Sequence, residues 1–75
     1  MNSILQVTIG ERKLELFEEQ GLYEVQIIGR KGEWTEVLGT DKPVAFTMFH
    51  QKVSEILAFE VVERLIPKET KHEIS

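Results

Sequence analysis

The chain has no cysteine, only two histidines and two prolines among 75 residues, and no apolar run approaching a membrane span. Without cysteine there is no disulfide framework, no thiolate nucleophile and no cysteine-based zinc site. The opening residues, Met1 to Val7, carry no basic stretch and no apolar segment long enough for a signal peptide, so the sequence points to a cytoplasmic protein with no membrane association. Positive charge is also scarce. Nine basic against thirteen acidic side chains give a net charge of -4, a sign that repels phosphate backbones unless cations are concentrated locally.

What remains is an ordinary globular composition, 41% apolar and 29% charged. A chain of this size buries only about 60% of its unfolded surface. Such thin cores commonly gain stability by covering a second apolar face with another copy or a partner.

Period-2 alternation marks four strands. Leu5, Val7 and Ile9 share one face of residues 3 to 9, and Gly10-Glu11 makes a tight turn. Leu14 and Leu16 follow in residues 12 to 18, then Glu19-Gln20-Gly21 turns the chain. Tyr23, Val25 and Ile27 alternate in residues 22 to 29, and Gly29-Arg30-Lys31-Gly32 leads into residues 33 to 39. Loops this short imply an antiparallel meander. Phe17, Leu22, Ile28 and Val37 fall on the opposite parity, leaving some apolar area on the second face.

Thr40-Asp41-Lys42-Pro43 is a helix start, with Thr40 or Asp41 as cap and proline in the first turn. The helix is expected over residues 43 to 65. At 100° per residue Ala45, Phe46, Phe49, Val53, Ile56 and Leu57 form one apolar arc, opposite Thr47, His50, Gln51 and Ser54. Beyond Ala58 the pattern rotates: Phe59, Val61, Val62, Leu65 and Ile66 occupy the other arc, while Glu60, Glu63 and Arg64 take the inward positions. Three arrangements accommodate this: a bend or break near Ala58, packing of the second half on another subunit, or a fifth strand over residues 57 to 65. The second is favoured, and the lack of Gly, Pro or Asn between Ser54 and Leu65 weighs against the strand. The fold expected is α+β, a four-stranded antiparallel meander followed by one long C-terminal helix. It forms one domain over residues 1 to 66, dimeric through Phe59, Val61, Val62, Leu65 and Ile66, with a solvated tail over 67 to 75.

Chemistry-bearing clusters are few. His50 and Ser54 stand one helical turn apart, the start of a nucleophile pair, but no orienting acid or oxyanion donor accompanies them. His50 and His72 lack metal-ligand spacing, and the Gly29 to Gly32 loop joins strands instead of opening a helix, so it lacks phosphate-loop geometry. No cofactor is implied. In a meander the first and third turns share one end, which would gather Arg12, Lys13, Arg30 and Lys31 near Trp34 and Tyr23 as a possible single-strand contact. Glu18, Glu19 and Asp41 gather at the other end, and a contact presenting Glu18, Glu19 and Glu36 in place of phosphates is a variant of protein binding. Four antiparallel strands followed by a long helix resemble, in element order, the single-stranded-DNA-binding transcriptional coactivator and Whirly group, which dimerises through that helix. That resemblance implies nucleic-acid binding as the alternative function. The primary expectation is a small, non-catalytic, homodimeric interaction or regulatory protein, of the kind common among phage and mobile-element accessory proteins.

Overall fold

A computed structural model describes the backbone of residues 1–65 and the side chains of residues 1–62. Strands β1 (Asn2–Ile9), β2 (Arg12–Glu19), β3 (Leu22–Gly29) and β4 (Gly32–Gly39) form one antiparallel sheet in chain order, followed by helix α1 (Lys42–Leu65). The expected ββββα meander is therefore the observed fold. The tail over 67 to 75 and Ile66 lie outside the described residues.

The turns follow from local chemistry. Gly10 has φ 60° while Glu11 stays in the ordinary region, the geometry of a two-residue II′ hairpin turn. Gln20 and Gly21 both take positive φ, 52° and 82°, as a I′ turn requires. Gln20 thus occupies a region that disfavours side chains, which the spacing alone does not reveal.

Register sorts the residues by face. Leu5 pairs with Leu16, Val7 with Leu14, Leu16 with Val25 and Leu14 with Ile27, so these side chains form one apolar layer. Leu14, Leu16, Val25 and Ile27 are essentially inaccessible, and Ile9, Tyr23, Leu38, Ala45 and Phe49 complete the core. Two irregularities interrupt the ladder, one placing Ile4 between Ser3 and Leu5, the other placing Leu38 between Val37 and Gly39. Leu38 follows Glu36 by two residues and so faces the helix, where it is buried, whereas Val37 faces the other side and is exposed.

Helix α1 begins where the sequence places it. Asp41 is the cap: its Oδ1 accepts the Val44 N–H at 3.2 Å, and its carbonyl accepts from the Ala45 N–H at 2.8 Å. Ala45 and Phe49 then enter the core, with Phe46, Val53 and Ile56 packed beside them. Phe46 meets Tyr23 edge-on at 6.3 Å. The helix runs unbroken through Leu65, which excludes both the fifth strand and a break near Ala58.

Contacts along the helix show that it crosses the sheet diagonally. Lys52 reaches Glu36 on β4, whereas Glu60, two turns later, reaches Arg12 and lies against Gly10 beside β1. Two corners of the helix-side face are consequently left open. One holds Leu5, at the start of β1, and the other holds Trp34, which pairs with buried Ile27 yet remains 52% exposed.

The Lys52 ammonium donates to Glu36 Oε1 at 2.8 Å. That hydrogen bond, then the charges of Glu36 and Glu55, hold its pKa above the ordinary 10.5, outweighing partial burial. A raised cationic pKa contributes stability that is fully present below the unfolded value and is lost as pH rises through the folded value. Wild type should therefore lose about 0.2–1 kcal/mol relative to Lys52→Met between the two sides of that transition, as for other part-exposed pairs. Urea midpoints of both proteins below and above it test this, and parallel curves would contradict it.

Candidate interaction surface

The second half of α1 departs from the amphipathic pattern of the first because the sheet ends beneath it. At Ile9 and Arg12 the β1–β2 hairpin turns, and the inward helix position there is filled by Glu60 instead of an apolar side chain. Arg12 donates from Nη1 to Glu60 Oε2. The side chains are only 24% and 17% exposed, so solvent screens this pair less than a surface pair. The Arg12 guanidinium also lies over the Phe59 ring, 5.0 Å from its centroid, where the ring's negative face favours a cation. Gly10 serves this contact as well as its turn, since a Cβ there would run into the Glu60 carboxylate.

With inward positions given to Glu60, the apolar side chains of this segment turn outward. Leu57, Phe59, Val61 and Val62 are each about half exposed, at 52, 53, 48 and 49%. Phe59, Val61 and Val62 are thus placed where the rotated arc predicts, and Leu57, assigned from sequence to the sheet-facing arc, joins them. Leu65 lies on the same helix, but its side chain is outside the described set. The residues divide between two flanks. Leu57 and Val61 lean toward β1, where with Thr8, Ile9, Gly10 and Glu60 they line a cleft of about 300 Å³. Phe59 lies seven residues beyond Lys52 and so shares its flank, on the side of β4.

The proposed nucleic-acid cluster is only partly assembled. The first and third turns do share one end, as the ion pair between Arg30 and Glu11 shows. Tyr23 does not belong there: it sits at the opposite end, opposite Glu18 and Gly39, and is buried against Phe46. Its strand runs away from that end, and alternation alone fixes a face, not which end of the strand a residue occupies. Arg12 is engaged by Glu60, and Lys13 lies 3.7 Å from Glu15. The sheet face away from the helix carries Glu15, Glu24 and Glu33 against the single cation Lys13, and these carboxylates interrupt its half-buried Phe17, Leu22 and Ile28 and its exposed Val37.

The remaining sequence candidates are placed as follows. His50 and Ser54 are both exposed on the solvent side of α1, and His72 lies outside the described residues. Glu18 accepts the Gly21 N–H at 3.1 Å, Asp41 caps the helix and Glu36 holds Lys52. Each of these carboxylates has a local structural partner. Among the described residues no helix is long and apolar enough to cross a membrane.

No family model, curated protein or solved structure matches the chain.

Proposed function

We propose that this chain is a small, non-catalytic interaction protein that acts as a homodimer, with the second half of α1 as the contact. The observation that carries the proposal is the run Leu57, Phe59, Val61 and Val62, four large apolar side chains about half exposed on one helical segment. Apolar residues scattered singly on a surface need no explanation, but four on one short helical segment, two of them adjacent on the β1 flank, mark a site that something covers. A single thin core also gives a chain of this size little stability to spare. Covering the Leu57 and Val61 flank with a second copy stabilises the fold and removes exposed apolar area together.

The alternative, binding of single-stranded nucleic acid, draws on Arg30, Lys31 and exposed Trp34 at the turn end. It is the weaker reading because Arg12, Lys13 and Arg30 are each matched by a carboxylate and the open sheet face is acidic. Trp34, the sole tryptophan, reports directly on it. Titration with single-stranded oligonucleotides at low salt should leave its fluorescence unchanged. A saturable change that disappears with added salt would overturn the proposal in favour of a nucleic-acid binder.

A further inference from the structure

The two edges of the sheet are protected unequally. On β4 the side chain of Glu36 points to the helix side, where Lys52 holds it, Glu33 adds a second charge, and the irregularity at Leu38 distorts the strand. Inward-pointing charge and a bulge are the devices that keep a free edge from pairing with another chain. Strand β1 has neither charge nor proline anywhere in its eight residues, NSILQVTI, within a chain of net charge -4. Its one irregularity, at Ile4, leaves the segment Leu5 to Ile9 regular.

The hairpin fixes which backbone groups of that segment are free. Ile9 and Arg12 flank a two-residue turn and so form a hydrogen-bonded pair, and by alternation Val7 and Leu5 also bond to β2. The N–H and C=O groups of Gln6 and Thr8 therefore point outward, away from the sheet. We infer that two copies of this chain join antiparallel through β1, forming one continuous eight-stranded sheet about a two-fold axis at Val7. This deepens the dimer reading above and rests on it.

A second copy fits this edge for three reasons. The segment is self-complementary: Gln6 of each copy pairs with Thr8 of the other, exchanging four backbone hydrogen bonds, while on the helix side Val7 meets Val7 and Leu5 meets Ile9. No like charges are brought opposite each other, because the strand carries none. Finally, the two-fold axis stands perpendicular to the sheet, so both helices lie on the same face and run antiparallel. Each helix leans over the Ile9 end of its own β1, where Leu57 and Val61 overhang the strand. In the antiparallel pair that end lies beside the partner's Leu5, the corner its own helix leaves 41% exposed. The overhang of one copy covers the gap of the other.

The absence of cysteine makes the test direct. Val7 is half-buried, so Val7→Cys is a mild change, and a non-hydrogen-bonded antiparallel pair brings Cα atoms to about 4.5 Å, within disulfide range. Under mild oxidation the full-length Val7→Cys protein should yield nearly complete cross-linked product at twice the 8.7 kDa chain mass. Gln6→Pro provides a test independent of folding around a new thiol. It removes only an outward N–H, which an edge strand tolerates, and should give a folded monomer. A dimer that survives Gln6→Pro and gives no Val7 cross-link overturns the edge pairing and leaves the dimer reading standing. A native chain that is monomeric overturns both.

Discussion

Changing Leu57 and Val61 together to glutamate is expected to convert the protein from dimer to monomer without unfolding it. Both side chains are about half exposed in the single chain, so a carboxylate at either position still reaches water in the folded monomer. In the dimer the same positions are covered, and the substitution both removes apolar anchors and places charge against a closed contact. Loss of an interface anchor typically costs about 2 kcal/mol or more, and burying an unpaired carboxylate costs further. Association should therefore weaken by at least about 100-fold, each tenfold step being about 1.4 kcal/mol. Sedimentation equilibrium and far-ultraviolet circular dichroism on one sample separate the outcomes. Unchanged mass would remove this flank from the interface, and lost dichroism would show that the helix depends on these side chains within one chain.

The second large effect lies in the core. Leu16 is wholly inaccessible, paired with Leu5 on one side and Val25 on the other. Leu16→Ala deletes the buried isopropyl group and leaves a space that a small sheet fills poorly, costing about 2–5 kcal/mol. Against roughly 0.05–0.15 kcal/mol per residue for natural domains, that is much of the total stability. Because a dimer links folding to association, the variant should also unfold at lower urea as protein is diluted. A loss below about 1 kcal/mol would show that Leu16 is not central to the core, since even conservative core truncations reach that size.

Much of this fold is legible in the sequence because its strands keep strict alternation. Leu14, Leu16, Val25 and Ile27 announce their common face, and Asp41 with Pro43 announces the helix start. Two kinds of feature escape such reading. The displacements at Ile4 and Leu38 depend on how neighbouring strands are matched, and period-2 patterns contain no information about a partner strand's register. The diagonal course of α1 depends on its contacts, and it is this course that exposes Trp34 and Leu5 and brings Arg12 to Glu60.

The surface was partly legible for a related reason. Rotation of the apolar arc beyond Ala58 correctly places Phe59, Val61 and Val62 away from the sheet, since helical periodicity fixes direction without knowledge of the fold. Periodicity places Leu57 on the covered arc because a helical wheel does not show where the sheet stops beneath it. Tyr23 falls with Trp34 in the sequence reading because strand alternation fixes a face and not a position along the sheet. The free groups of Gln6 and Thr8 emerge only once the hairpin's two-residue turn sets which β1 amides bond to β2.

Sedimentation equilibrium of the native chain over a wide concentration range tests the central claim most directly. A single species at twice the 8.7 kDa chain mass, dissociating only on strong dilution, is the predicted result. A species of 8.7 kDa at every concentration would contradict it, because exposed Leu57 and Val61 would then have no second copy to cover them.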